Sequence, residues 1–326
     1  TLHREVRDLQ SSYAAVEVSS HALAQDRISG LDIPTAVFTN LSRDHLDYHG
    51  DLASYGRAKA KLFQRSGLSQ AVLNVDDPFT STLLRGLPDD VTKISISTRD
   101  SSANLFGQVL WADLDGITVQ ISGLCGTGLI KSKLVGDFNV ENLLLALGVL
   151  FAWDVTMADA CETLSFCRTP PGRMEVFRGS ADSPWVIVDY AHSPTALENA
   201  LTCLNRYSAA ETWCVFGCGG ERDPGKRPLM GAVAAKLADH VVLTNDNPRG
   251  EDPGEIIAQI RSAITSHPDV IVEHDRKRAI VNAIGAASSG DAVLIAGKGH
   301  EVLQEIGQQR HPFSDRSVVE VAMKGH

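Results

Sequence analysis

The chain has 326 residues, 43% of them apolar, and a formal net charge of −10. At about 150 residues per domain that length predicts two domains. The acidic balance excludes a nucleic-acid groove or an anionic membrane surface as partner, although local Arg and Lys clusters leave phosphate ligands open. No uninterrupted apolar run reaches the roughly 18 residues of a membrane span and no signal peptide is visible, so a cytoplasmic protein without membrane insertion is expected. The six cysteines (Cys125, Cys161, Cys167, Cys203, Cys214, Cys218) show no metal-type pairing and read as buried, reduced thiols.

In chain order, Thr1 is followed by a helix-like stretch at 2–9 that reads as mid-domain, giving the expectation of a piece of a longer protein. Strand-like runs at 14–18, 36–41 and 71–75 alternate with helical patterns, the rhythm of a parallel α/β sheet. Runs at 117–121 and 129–134 read as short hairpin strands. The stretch 139–152 is a strongly apolar helix with Asn139 as its expected cap. Arg168-Thr-Pro-Pro-Gly172 breaks regular structure and is the expected linker. This divides the chain into domains 1–169 and 170–326. Beyond the linker, strands near 185–189, 212–217, 240–244, 270–273 and 292–296 alternate with helices such as 226–237 and 253–264. That is a complete Rossmann-like, doubly wound unit. The expected fold class is α/β throughout.

The most informative residues are Asp246, Asn247, Pro248 and Arg249, directly after a β-branched run. Ligands of open α/β sheets bind outside the carboxyl ends of the strands. An Arg there can grip a carboxylate with two prongs, while Asp and Asn accept from an ammonium, a set that suits a zwitterionic amino acid. The plain alternative is an Asx-turn beside a solvated Arg. Gly297-Lys-Gly-His-Glu301 follows the last strand, where glycine admits close backbone approach and Glu301 offers a carboxylate, or the segment is only a tight exit turn. Asp189, with His192 just after it, ends a strand where an Asp reaches a ribose hydroxyl or caps the next helix.

In the first half, Glu17 and His45 stand at the ends of neighbouring strand-like runs and can share a divalent cation, or pair locally. Lys59 by itself reads as a solvated helix residue. Gly220-Glu-Arg-Asp-Pro-Gly-Lys226-Arg227 fits seven positions of a phosphate loop, but Arg227 stands where the Mg²⁺-binding hydroxyl belongs, so a triphosphate cradle is rejected. The segment can still present Arg222 and Lys226 to an anion at a helix N-terminus. No other phosphate loop occurs in the sequence.

Taken together, EVSSHALAQ, FTNLSRDHLDYHGD, GDFNVENLL, GRMEVF, VDYAHSPTALENAL, FGCGGERDPGKRPLMG, TNDNPRGEDP and AGKGHE resemble the Mur ligases, in family order and across nearly the whole chain. The resemblance is closest to the branch that adds the third residue of the peptidoglycan stem peptide. It implies an ATP-dependent, Mg²⁺-requiring ligase acting through an acyl phosphate, which joins meso-diaminopimelate to UDP-N-acetylmuramoyl-L-alanyl-D-glutamate. It implies a monomer with no nucleic-acid partner.

Residue by residue, the resemblance assigns Glu17 and His45 to the metal and Lys59 to a carbamate (N6-carboxylysine) that helps hold a second Mg²⁺. Ser19, Gln25 and Arg27 match contacts to the UDP-muramoyl dipeptide. Asn142, Arg173, Asp189 and His192 match positions around ATP. Arg222, Asp246, Asn247, Pro248, Arg249, Gly297 and Glu301 match the diaminopimelate pocket. Family members carry a uridine-binding domain and a phosphate loop ahead of the EVSSH region, so this stretch alone is expected to be inactive. The alternatives are a lysine-adding or folylpolyglutamate-type relative, and a non-catalytic fragment that keeps the amino-acid pocket.

Overall fold

The computed structural model describes residues 13–42, 46–124, 126–180, 182–207, 210–265 and 270–324. The chain divides into two compact units, one formed by 1–108, 121–128 and 141–160, the other by 109–120, 129–140 and 161–326. Helices along the first half are α1 (Ser20–Ala24), α2 (Leu46–His49), α3 (Leu52–Ala60), α4 (Thr80–Gly86), α5 (Phe138–Ala152) and α6 (Met157–Ser165).

One sheet runs in the order β1 (Thr35–Phe38), β2 (Gln70–Asn74), β3 (Thr92–Ser97), β4 (Leu105–Asp113), β5 (Gly116–Gly123), β6 (Gly126–Ser132). Strands β1, β2 and β3 and the start of β4 are parallel. The core of the first unit gathers Ala36, Phe38, Phe63, Leu68, Ala71, Leu73 and Leu83.

Three sequence expectations are corrected here. Residues 14–18 form no strand: Ala14 to Glu17 are exposed and no strand pairs with them among the described residues. β-Branched composition makes a strand only where a neighbour takes up the backbone groups. The run at 36–41 stops at Phe38, because the Leu41 amide donates to Asp77 Oδ2 at 2.7 Å instead of to a ladder. Asn139 lies one residue inside α5, so the helix starts ahead of it and not at it, and its Nδ2 donates back to the Val135 carbonyl at 2.8 Å. The helix-like stretch at 2–9 lies outside the described residues.

The second sheet has the order β11 (Val270–Val272), β10 (His240–Leu243), β9 (Thr212–Phe216), β12 (Ala292–Ala296), β8 (Trp185–Asp189), β7 (Glu175–Phe177). Strands β8 to β12 are parallel and β7 joins antiparallel at the edge. Side chains alternate between two faces, and each face has its own core. Ile187, Cys214, Phe216, Val241 and Leu294 pack with Leu197, Leu201, Met230, Ile256 and Ile260. The latter belong to α7 (Pro194–Tyr207), α8 (Lys226–Leu237) and α9 (Pro253–Arg261). Val186, Val188, Val215, Val242 and Val293 pack with Ala279, Ile280 and Ile284 of α10 (Arg276–Ala286) and Val319 of α11 (Asp315–Met323).

This is the doubly wound unit expected from the sequence, with helices on both faces. The helix expected over 253–264 ends at Arg261. Its start is fixed by Asp252, which accepts from the amides of Gly254 and Glu255, and by Pro253 in the first turn. A two-stranded hairpin, β13 (Leu303–Ile306) with β14 (Gln309–Pro312), follows β12. Among the described residues no helix is long and apolar enough to cross a membrane. Among the described residues Cys161, Cys203, Cys214 and Cys218 are buried, Cys167 is half-buried, and none of them forms a disulfide.

Candidate functional site

In the second sheet the strand order reverses around β12, which sits between β8 and β9. A crevice opens at such a reversal, outside the carboxyl ends of the strands. The segments after β8, β9, β10 and β12 meet there. The Gly297 amide donates to the Asp189 carbonyl at 3.1 Å, and the Gly220 amide to the Asn247 carbonyl at 2.9 Å. Gly297 has φ of +118°, and a Cβ on it would lie 2.7 Å from Asp246 Oδ2, so only glycine lets this strand exit pass the carboxylate.

A polar cluster joins the two exit loops. Lys298, with no exposed surface, donates to Asn247 Oδ1 at 2.8 Å and to Glu301 Oε2 at 2.7 Å. Asn247 Nδ2 donates to the same Glu301 oxygen at 2.9 Å. Asp246 is only partly covered, and burial pushes its carboxyl above the usual carboxylate range against the pull of Arg276 and Lys298. Arg276 stands behind the cluster: Nη2 donates to the Ala296 carbonyl at 2.9 Å, and the side chain pairs with Asp315 at 2.7 and 2.8 Å, both fully buried. Its Nη1 also reaches the Asn245 carbonyl at 3.4 Å, so Arg276 braces the ends of β10 and β12.

Arg249 has φ of +51°, which non-glycine residues seldom adopt. Its Nε donates to Glu305 Oε2 at 2.8 Å and its Nη1 to the Gly220 carbonyl at 2.7 Å. The guanidinium is thus already ion-paired. Arg222 is exposed, its Nη1 reaching the Glu221 carbonyl at 3.2 Å, and Pro248 is buried. Lys226 Nζ donates to the His192 carbonyl at 2.8 Å. Arg227 is buried and tied to Glu251 at 2.8 and 3.0 Å and to Gln259 at 2.8 Å, so the residue that breaks the phosphate-loop pattern is a structural brace.

Beside this crevice, Asp189 Oδ1 accepts from the Met174 amide at 2.8 Å, and burial raises its carboxyl. Arg173 lies over the Tyr190 ring at 4.6 Å, a cation–π contact, and the Tyr190 ring centre is 4.5 Å from that of His192.

The other sequence-selected residues belong to the first unit. Ser19 caps α1 by accepting from the Ala22 amide at 3.2 Å, Gln25 Nε2 donates to the Tyr48 hydroxyl at 2.9 Å, and Arg27 and Glu17 are exposed. Lys59, near the end of α3, donates to the Asn40 carbonyl at 3.2 Å and lies 5.1 Å from the Tyr55 ring centre. Asn142 is an exposed residue of α5. His45 lies outside the described residues. No group of three His, Cys, Asp or Glu side chains poised for a metal occurs among the described residues.

Comparison with known proteins gives these positions a context. The Mur ligase middle domain matches residues 1–150, and the Mur ligase glutamate ligase domain matches residues 172–299. The chain belongs to the Mur ligase family. Among Mur ligases, it is 47% identical over 320 residues to the UDP-N-acetylmuramoyl-L-alanyl-D-glutamate–2,6-diaminopimelate ligase of Xanthomonas campestris pv. campestris strain 8004, covering 98% of this chain and 65% of that protein. The ligase of the same description from Pseudomonas aeruginosa is 47% identical over 309 residues, covering 95% of this chain and 63% of that one. A solved structure of a ligase of that description superposes with a TM-score of 0.68 at 40% identity, covering 97% of this chain and 65% of that one. The chain thus spans somewhat less than two thirds of the length of these relatives.

Three residues that tie these loops together escaped the sequence reading: Lys298, Arg276 and Glu305. Lys298 lies inside the Gly297–Glu301 motif and was legible as a cation between two glycines. Arg276 opens a helix and Glu305 sits in a hairpin, and nothing local marks either.

Proposed function

We propose that this chain carries the ATP-using and amino-acid-binding parts of a ligase that joins meso-diaminopimelate to UDP-N-acetylmuramoyl-L-alanyl-D-glutamate, in the cytoplasm and as a monomer. The observation that carries this reading is the convergence of the Asp246–Arg249 loop and the Gly297–Glu301 turn on one crevice. The curated relatives at 47% identity are described as that ligase. In this reading domain 1–169 handles ATP and the muramoyl dipeptide, and domain 170–326 receives the incoming amino acid.

The residue types fit the chemistry. ATP converts the D-glutamate side-chain carboxylate into an acyl phosphate, the amine of diaminopimelate attacks it, and phosphate leaves as the amide forms. Arg222, Asp246, Asn247, Pro248, Arg249, Gly297 and Glu301 hold diaminopimelate, with carboxylates and amide facing its ammonium and guanidinium its far carboxylate. Asn142, Arg173, Asp189 and His192 serve ATP, and Ser19, Gln25 and Arg27 the muramoyl dipeptide.

Mg²⁺ would be held by Glu17, His45 and a carbamate on Lys59, and it would neutralise the transferring phosphoryl group. An ammonium cannot ligate a cation, whereas a carbamate can. Lys59 Nζ donates to the Asn40 carbonyl at 3.2 Å, and a carbamate nitrogen would keep one N–H for that bond.

The ion pair to Glu305 changes the expected basis of amino-acid choice. A bound lysine, lacking the second carboxylate, does not leave Arg249 uncompensated, so the strongest form of rejection is blunted. What remains is the unfilled end of the guanidinium fork. Titrating the chain with meso-diaminopimelate and with L-lysine tests the reading. Tighter binding of the diacid by about tenfold is expected, with most of that preference lost in Arg249→Ala. Equal affinities, or a preference that survives Arg249→Ala, refute it.

A further inference from the structure

The hairpin after β12 carries no residue assigned to the reaction, yet it fixes the recognition loop. The Arg249 amide donates to the Glu305 carbonyl at 3.1 Å, and the Gly307 amide donates to the Arg249 carbonyl at 2.7 Å. These two bonds hold the backbone in its left-handed conformation. The side chains repeat the contact, with Glu305 Oε2 accepting from Arg249 Nε at 2.8 Å. The other carboxylate oxygen, Oε1, accepts from Arg310 Nε at 3.1 Å, and Arg310 is the direct cross-strand neighbour of Glu305.

A guanidinium has five N–H groups. Glu305 takes the one on Nε and the Gly220 carbonyl takes one on Nη1, which leaves the end of the fork formed by Nη1 and Nη2. That end matches a carboxylate with two parallel bonds. Arg249 and Glu305 keep only 20% and 27% of their side-chain surface exposed, so solvent screens their charges incompletely, whereas Arg310 is 71% exposed.

We infer that Glu305 is a specificity-determining residue of the amino-acid pocket, orienting the Arg249 fork from its Nε side while cancelling part of its charge. This rests on the reading of Arg249 as the carboxylate-binding residue and goes beyond it. The carboxylate of Glu305 and the far carboxylate of the ligand compete for one cation without occupying the same edge of it. The preference for a diacid over a monoacid is set by that competition, and Arg310 weakens the competitor by drawing on its second oxygen.

The test is isothermal titration of the wild-type chain, Glu305→Gln and Arg310→Gln with meso-diaminopimelate and with L-lysine. Folding of each is checked by thermal melting. The amide oxygen that Glu305→Gln introduces still accepts from Nε, so orientation stays while the negative charge goes. Preference for the diacid in Glu305→Gln is expected to rise about fivefold over wild type. Arg310→Gln, at an exposed position, frees Glu305 to hold Arg249 more strongly, and the preference is expected to fall about two- to threefold. A preference unchanged in folded Glu305→Gln, or unchanged in Arg310→Gln should the first variant not fold, overturns the assignment of Glu305 alone. A wild-type chain without preference for the diacid overturns the Arg249 reading itself, and this inference with it.

Discussion

A carboxyl group pressed into a crevice lined by its own backbone carries a cost that pH can reveal. Asp246 accepts from the Asn247 amide at 2.7 Å, and Arg276 and Lys298 lie nearby, yet desolvation wins and its carboxyl titrates above its ordinary value of 3.8. The folded state then holds the proton more tightly than the unfolded chain, so ionisation opposes folding. The penalty is absent below about 3.8 and develops as pH rises through the raised folded value. Asp246→Asn, which keeps an accepting oxygen and cannot ionise, is expected to gain stability over wild type as pH rises, while losing affinity for diaminopimelate. Urea unfolding of both proteins between about pH 4 and 8 checks this, and a difference that does not vary with pH contradicts it.

Residue identity alone gave the Asp246–Arg249 loop and the Gly297–Glu301 turn, because their residue types are informative and they follow strands. It could not give Glu305. A Glu opposite an Arg in a short hairpin reads as a surface pair, and only the meeting of hairpin and loop turns it toward Arg249.

Among elements, the strands of the second sheet were legible because a parallel sheet covered on both faces demands continuous apolar runs. TWCVF and AVLIA, buried along their whole length, are such runs. The run at 14–18 is interrupted by Glu17 and has no strand paired with it among the described residues. Helix α8 shows how an element can mimic a motif. Gly225, Lys226 and Arg227 imitate the end of a phosphate loop, yet Arg227 turns inward and ties α8 to Glu251 and Gln259 of the adjoining loop and helix.

Arg227→Ser restores the letter of the motif and is expected to lower unfolding free energy by about 2–3 kcal/mol, less than for a wholly buried pair because Glu251 is 35% exposed and regains water. No ATP affinity should appear in this variant. Chemical denaturation and nucleotide titration decide both points, and ATP binding gained by the variant would contradict the structural role.

For the whole molecule, each compact unit has its own apolar core, and the residues proposed to hold diaminopimelate all belong to the second. Leu73, 1% exposed, fills the core of the first unit. Leu73→Ala should cost about 2–5 kcal/mol through lost burial and the cavity left behind. Diaminopimelate affinity, measured where the variant remains folded, should stay within about twofold of wild type, since mutations at distant, unshared sites act independently. A large loss of affinity would mean that the pocket draws on the first unit.

From the sequence by itself came the α/β class, the strands and helices of the second unit, the family, and the two loops proposed to grip the amino acid. These are properties of local pattern and residue chemistry, which the linear order preserves. Tertiary structure alone decided that Lys298 and Arg276 are buried braces, that Arg227 is a structural cation, and that Arg249 already holds a counter-ion. Each of those outcomes depends on which distant segment supplies the partner, and burial rewards a charge only where that partner arrives.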